Sequence, residues 1–483
     1  MIRPPLRLIV VAGALFSVLL GAHRAVPPRV TIDTGILEGL DTAGVIVFRG
    51  IPYAAPPVGE LRWRPPQPPK PWTGVRPANQ LGHNCIQHRP YEDIDPFTAG
   101  VSEDCLNLNV WTNSLDTRAA RRPVMVWIHG GGFVAGFGGE ERHNGARLAQ
   151  KGAVVVTLNY RLGAFGFLAH PAIAAESPHH AAGNYGLLDQ IAALQWVQRN
   201  IARFGGDPSR VTIFGESAGG WSVGSLIASP LAKGLFQRAI LESGTAVGTG
   251  ISSRNDARAL ALRFADSLHV YGVGPDAAAH LRALNPDTIL AASLHLGSPG
   301  ELRFLPVVDG WVLPHAVDSA LASGAANVVP VIAGTNRDEG DESMGAPTRT
   351  FARLVSSHGM PAYVYMFSRV GDDSANRARG AYHSAEITFV FGRPHPLQPS
   401  AGSTPYDSTV AEAMSDYWVA FATSGNPNGA PTAGKWPRWP RYASSTDALL
   451  EIGPKIEPRT MVKRAVYDSL DAVARLHGHL RPK

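Results

Sequence analysis

Five near-continuous apolar runs punctuate the chain: VMVWIHG (124–130), AVVVTLNY (153–160), RVTIFG (210–215), RAILESG (238–244) and VPVIAGTN (329–336). A strand with one wet face alternates apolar and polar residues, whereas a run that is apolar throughout is buried on both faces. Such runs therefore predict a central, mostly parallel β-sheet flanked by helices. Between them, GLLDQIAALQWVQRNIARFG (186–205) repeats Leu187, Ile191, Leu194, Val197 and Ile201 at spacings of three and four, the period of a helix with one buried stripe. Gly205 and Gly206 are its predicted end. A second helical pattern covers Thr409 to Gly425, ahead of the proline- and tryptophan-rich GKWPRWPRY. Near the start, RVTIDTGILEGL and GVIVFRGIPYA alternate apolar and polar positions on either side of DTAG, which predicts an antiparallel N-terminal ribbon. The proline-rich stretch Pro52 to Pro71 predicts an extended surface loop. Alternating strand and helix through the first half predict a doubly wound α/β architecture. No repeat, low-complexity tract or charge block divides residues 26–483, so a single domain is expected there.

The first 25 residues differ from the rest. Arg3 and Arg7 precede an apolar run from Leu8 to Leu20, and small residues follow at Gly21, Ala22 and Ala25. The run is shorter than the roughly 20 residues of a membrane span, so it predicts a signal peptide over 1–25 and export, with an uncleaved anchor as the alternative. The chain has 483 residues, 45% hydrophobic and 17% charged, a core-rich composition far from disorder. Its net charge of +5 is spread over scattered single residues. Without a dense basic stripe, nucleic acid is not an expected partner. The only two cysteines are Cys85 and Cys105. In an exported protein they predict a disulfide, with two free buried thiols as the alternative, and two cysteines without matched histidines do not make a zinc site.

Candidate chemistry sits at the ends of the apolar runs. GESAGG (215–220) follows the run VTIF and precedes a segment able to start a helix. In that context G-x-S-x-G places Ser217 on a strained strand-to-helix turn as a nucleophile; a serine in a plain glycine turn is the alternative. An acyl-transfer nucleophile also needs donors aimed at the developing oxyanion. HGGGF (129–133) follows the run VMVWI, and the amides of Gly131, Gly132 and Ala218 are the candidate oxyanion donors.

These motifs, with FRGIPYAAPPVGELRWRPP, SEDCLNLNVW, GNYGLLDQ, SPLAKGLFQRAILESG, LPVVDG, GTNRDEG and YHSAEITFVFG in the same order, resemble the type-B carboxylesterases, the family of cholinesterases and bacterial para-nitrobenzyl esterases. The resemblance spans nearly all of the chain after the leader. It implies an α/β-hydrolase fold, no cofactor, and hydrolysis of small-molecule carboxylic esters through an acyl-serine. The acid it implies is Glu339 in GTNRDEG; on spacing alone the neighbouring Asp338 competes. The base it implies is His383 in AYHSAEITFVFG. His129 is expected to shape the glycine turn, and His170, His179 and His180 are expected to be solvated. A base with an ordinary imidazole pKa predicts activity rising through about pH 6 to 7. Glu216 and Glu386 match positions the family uses as pocket carboxylates, with structural hydrogen bonding as the alternative.

Two departures change the picture. His383 follows Glu339 by only 44 positions, and GTNRDEG runs almost directly into DESMGAPTRTFARL, which resembles a block that family members carry several dozen residues later. The shortening predicts a wider pocket, a displaced Glu339 or a poorly folded product, and keeps a catalytically silent binding module of the neuroligin kind as the alternative function. The Cys85–Cys105 loop holds no tryptophan, where cholinesterases carry their choline-stacking ring, so cation–π selection of choline is not expected. Trp221, bulkier than the residue usual after the serine motif, is expected either to narrow the acyl side of the pocket or to pack the helix behind Ser217.

Overall fold

The structure, a computed structural model, describes residues 26–91, 94–117, 121–296, 304–372, 374–392, 404–430 and 432–476. The predicted signal peptide lies outside them. Among the described residues, no helix is long and apolar enough to cross a membrane.

Among the described residues eleven strands form one mixed sheet. In chain order they are β1 (Leu40–Thr42), β2 (Val45–Pro52), β3 (Asn107–Thr112), β4 (Arg122–Ile128), β5 (Val154–Leu158), β6 (Gly206–Glu216), β7 (Arg238–Glu242), β8 (Val331–Asn336), β9 (Ala362–Phe367), β10 (Leu449–Ile452) and β11 (Ile456–Arg459). In space they run β11-β10-β9-β8-β7-β6-β4-β5-β3-β2-β1. From β5 to β10 every neighbouring pair is parallel. Antiparallel pairs close both margins.

All five apolar runs are strands of this sheet, and alternation along β4 shows why they had to be apolar throughout. Val124, Val126 and Ile128 enter the core on one face, while Met125 and Trp127 enter the core on the other. On the first face lie helix α1 (Tyr185–Asn200), which buries Leu187, Ile191 and Leu194, and helix α2 (Ala218–Ala228). A 3-10 turn, Ile201–Phe204, extends α1 to Gly205, whose φ of 78° ends it in the left-handed conformation. Helix α3 (Ala346–Ser357) also joins the first face through Phe351. The second face is covered by helix α4 (Pro405–Ser424), started by a Thr404–Asp407 capping box and stopped at Gly425. Helix α5 (Arg464–Leu476) follows the last strand.

Two expectations need correction. The N-terminal ribbon is two hairpins: Arg29–Ile32 pairs with Gly35–Glu38 in a separate three-stranded sheet, and only β1 and β2 turn at DTAG. The reason is a second tight turn of the same chemistry, Asp33-Thr34-Gly35, inside the first segment. The Pro52–Pro71 loop is extended but anchored to the interior. Trp63 is buried and donates through Nε1 to the Ala164 carbonyl at 2.8 Å, and Arg62 pairs with Glu103 at 2.6 Å. Cys85 and Cys105 are joined in a disulfide.

Candidate active site

β6 ends at Glu216 and α2 begins at Ala218, so the chain reverses at Ser217. Ser217 has φ 57° and ψ −121°, a conformation sparsely populated by residues with a Cβ. Its N–H donates to the Glu242 carbonyl of β7 at 2.9 Å, which ties the turn to the neighbouring strand. Such a reversal requires α2 to start against β4: a Cβ on Gly219 would collide with the Ile128 carbonyl oxygen. The serine is only half-buried, standing above the carboxyl ends of the parallel strands.

The glycine loop after β4 lies directly against this turn. A Cβ on Gly130 would stand 3.3 Å from Ser217 Cβ and 2.9 Å from a Glu216 carboxylate oxygen. Gly131 and Gly132 take φ of 93° and 64°, and a Cβ on Gly131 would collide with the Ala135 carbonyl. His129 is buried behind the loop, stacked on Tyr160 at 4.4 Å, and burial lowers its pKa to about 4, so it stays neutral and structural. Ala218 is the first helical residue, so its N–H has no partner within α2. From the disulfide loop, the Tyr91 hydroxyl reaches to 3.1 Å from where a Gly132 Cβ would be.

On the other side of Ser217, two loops are clamped together. Glu339 follows β8; its side chain is fully buried, and Oε1 accepts from the Asn336 N–H at 2.7 Å. Its Oε2 lies 2.8 Å from His383 Nδ1. Asn336 Nδ2 donates to the Tyr382 carbonyl at 2.7 Å and to Glu386 Oε2 at 2.6 Å. Asp338 instead accepts from the Ala381 N–H at 2.8 Å and pairs with Arg337, so the structure separates the two candidate acids. The other nitrogen of His383, Nε2, faces Glu216 Oε1 at 3.2 Å. Among the described hydrogen bonds none joins His383 to Ser217 Oγ.

A sequence model described as the carboxylesterase family matches residues 26–345 and 340–469. The chain belongs to the carboxylesterase family. It is 37% identical over 474 residues to the fumonisin B1 esterase of Sphingopyxis macrogoltabida, covering 85% of this chain and 84% of that one. With the para-nitrobenzyl esterase of Bacillus subtilis it shares 35% over 502 residues, covering 91% and 98%. Its structure is similar to that of a PNB esterase, with a TM-score of 0.81, 32% identity and coverage of 92% and 99%. A Geobacillus stearothermophilus carboxylesterase gives a TM-score of 0.79 at 32% identity, again covering 92% and 99%. The fold is therefore the α/β-hydrolase fold, and the protein is a carboxylic-ester hydrolase. The two matched stretches overlap at 340–345, in the interval that follows Glu339.

In this carboxylesterase the stretch after Glu339 is a π-helical turn, Asp341–Gly345, that runs straight into α3. Beside it, a cleft of about 250 Å³ is lined by Val247, Thr249, Glu342, Pro347 and residues of α5. The cleft lies next to the π-turn while the Glu339–His383 contact is closed at 2.8 Å.

Electrostatics bind the site into one unit. Burial alone would lower the pKa of His383, but the Glu216 charge and the hydrogen bond and charge of Glu339 outweigh it and push it up to about 10. Burial pushes Glu216 up, with the charge of His383 pulling down and that of Glu386 pushing up. Burial also raises Glu386, the Glu339 charge adding to it. Glu242, paired in register with Glu216 across β6 and β7, is raised well above the carboxylate range by burial and by Glu386. Its Oε1 accepts from Trp418 Nε1 at 2.7 Å. The Ser243 hydroxyl donates to Glu386 Oε1 at 3.2 Å.

Sequence reasoning missed Asn336, Glu242, Ser243 and Trp418. The ESG after β7, a glutamate ending a buried strand in register with the serine motif, was the available signal. It also misplaced His170, which is buried and whose Nδ1 caps the Pro171–Ala175 helix by accepting from the Ala172 N–H at 3.2 Å. His179 and His180 are exposed as expected, with His179 stacked on Trp311. Among the described residues no group of three His, Cys, Asp or Glu side chains is placed to hold a metal ion.

Proposed function

We propose that this carboxylesterase works through a Ser217–His383–Glu339 triad and an acyl-serine intermediate. The observation that carries this is the His383 imidazole held through Nδ1 by the buried Glu339, with Nε2 turned toward the turn that carries Ser217. Ser217 Oγ attacks the ester carbonyl as His383 Nε2 takes its proton, and the amides of Gly131, Gly132 and Ala218 hold the oxyanion. The imidazolium then protonates the leaving alcohol. Water, activated by the same nitrogen, attacks the acyl-enzyme, releases the acid and restores Ser217. For attack, Nε2 moves from Glu216 onto Ser217 Oγ; hydrogen bonds of this kind are often long before substrate binds. Glu216 is then left to hold the imidazolium between the two steps.

The substrates are uncharged small or medium carboxylic esters. The disulfide loop offers Tyr91 and no tryptophan to a quaternary ammonium, which disfavours choline esters. The apolar leader and the disulfide together support export, with residues 26–483 as one domain.

Mass spectrometry after treatment with an organophosphonate tests the triad. Labelling on Ser217 that disappears in Ser217→Ala and His383→Ala is the expected result. Folded protein that resists labelling and does not hydrolyse 4-nitrophenyl acetate would instead mark a silent binding module.

A further inference from the structure

Four parallel strands place one residue each in a single row across the sheet: Glu216 on β6, Glu242 on β7, Gly334 on β8 and Tyr365 on β9. Phe214, Ile240, Ile332 and Tyr363, two positions earlier on the same strands, all enter the core under α4, so the row faces that side as well. Gly334 is the member without a side chain, and a Cβ there would collide with the Tyr365 ring. The ring therefore lies across β8. Neighbouring strands are about 4.8 Å apart, so a ring laid over one column carries its hydroxyl toward the next, that of Glu242. From α4, Trp418 covers the row, its ring 5.5 Å from that of Tyr365 and its Nε1 donating to Glu242 Oε1.

Tyr365 is buried, and its hydroxyl makes no direct hydrogen bond. Neither does Glu242 Oε2. A phenylalanine would pack across Gly334 equally well with no buried hydroxyl to satisfy, so the hydroxyl calls for a role. The carboxyls around it supply one. Burial first, then the charges of Glu386, Glu242, Glu339 and Glu216, raise the Tyr365 pKa far above its ordinary value, so the group remains a donor at every working pH. Glu242, raised well above the carboxylate range, holds a proton of its own. Glu386 is the carboxyl with room to accept: Oε1 takes a hydrogen bond from Ser243 and Oε2 one from Asn336, and each carboxylate oxygen can accept two. Burial and the Glu339 charge raise its pKa to about 7, so one further hydrogen bond decides how far it is ionised at neutral pH. The other titratable groups around Glu386 are His383 on its own segment and Glu216, on which Arg142 also acts.

We infer that Tyr365 is a positioning residue of the hydrolysis: through one internal water its hydroxyl donates to Glu386 and holds negative charge there, beside the His383 imidazolium. The role rests on His383 being the base of the proposed triad. A water at this point has polar partners in Tyr365, Glu242 and Glu386, the number that an internal water ordinarily takes. Each hydrogen bond to a carboxylate favours its charged form, and the Glu386 charge in turn favours the imidazolium that forms when Ser217 gives up its proton. Tyr365 thus acts on the reaction without touching substrate.

The test combines Tyr365→Phe with Glu386→Gln. Tyr365→Phe keeps the ring over Gly334 and removes the donor, so Glu386 takes up its proton at higher pH than in wild type. In infrared pH titrations the protonated-carboxyl band of Glu386, identified as the one missing from Glu386→Gln, should titrate about half a unit higher in Tyr365→Phe. His383 then loses a neighbouring negative charge, so the acid limb of kcat/KM for 4-nitrophenyl acetate should move down by about half a unit. At the same time kcat should fall about fivefold with KM unchanged. In a Glu386→Gln background, Tyr365→Phe should add no further shift of the limb. A limb that stays in place, with or without a lower Tm, overturns the proposal and leaves Tyr365 a packing residue. So does a shift that adds in full to that of Glu386→Gln. Wild type that does not label on Ser217 overturns the triad and with it the role of Tyr365, whereas labelled wild type with an unmoved limb in Tyr365→Phe overturns the role of Tyr365 alone.

Discussion

The two sides of the site are built in different ways. On the Ser217 side, geometry is local: β6, Ser217 and α2 are consecutive, and glycines remove every Cβ that would stop the glycine loop and α2 from closing on β4. On the His383 side, acid and base come from loops 44 positions apart and are held by side chains, with Asn336 and Asp338 bonding across to 381–386. A local turn depends on what its own residues can adopt. A clamp between loops depends on partners, so it survives a shortening of the chain between them as long as those partners remain. Here those partners are present, and the Glu339–His383 contact is closed beside the short π-turn that follows Glu339.

The largest expected effect removes the chemistry from either side. Ser217→Ala and His383→Ala should each lower kcat by about 10⁴-fold or more, and the double variant should lose little beyond that. Additive losses in esterase assays would show that the two sides do not work as one unit.

Next, Gly219→Ala tests the local side. The new methyl meets the Ile128 carbonyl, so α2 must separate from β4, at a cost of about 3 kcal/mol that thermal denaturation would detect. A variant as stable as wild type would mean that the turn has slack that its geometry denies.

Asn336→Ala tests the clamp. It removes the two Nδ2 bonds to the His383 loop without touching Ser217, and kcat should fall by about 10²-fold because His383 loses its position. Far-UV circular dichroism should stay native. A fall in activity that merely tracks a fall in Tm would reduce Asn336 to a stability role.

A smaller effect is a shift in pH dependence. The base must be neutral, and with His383 raised by Glu216 and Glu339 the activity is present above its pKa and lost as pH falls through it. The acid limb of kcat/KM should therefore lie above the ordinary imidazole value of about 6.5, higher than the pH 6 to 7 expected from the motif alone. Glu216→Gln removes one of the charges that raise His383 and should move the limb down by about one unit. A limb that stays in place would remove Glu216 from the electrostatics of the base.

The smallest effect on activity is expected from the disulfide. Replacing Cys85 and Cys105 by serine frees a loop of 20 residues and should cost about 3 kcal/mol of stability. Activity on 4-nitrophenyl acetate at 25 °C should stay within about threefold, since Gln87 and Tyr91 of the loop meet the glycine motif and the segment after it and not the Glu339–His383 contact.

Strands apolar on both faces, the helix 185–200 and both glycine motifs were legible in the sequence because each depends on residues close together in the chain. The turn at Asp33-Thr34-Gly35 and the burial of His170 were not, since the same short polar segments suit a hairpin, a cap or a solvated loop until a neighbour packs on them. Likewise β9, AYVYMF, carries the same apolar signature as its neighbours, but its place beside β8 follows only from the order of the sheet.

By itself the sequence determined the class of fold, the serine turn and the glycine loop beside it, because strand burial and glycine conformations are properties of short segments. It left Asp338 and Glu339 equal on spacing. Only the tertiary structure sent one carboxylate to the Ala381 N–H and the other to His383, gathered Glu216, Glu242 and Glu386 around that contact, and stacked Trp221 on Phe133. The physical reason is that pairing, burial and shifted proton affinity arise between elements, and no single segment of the chain contains them.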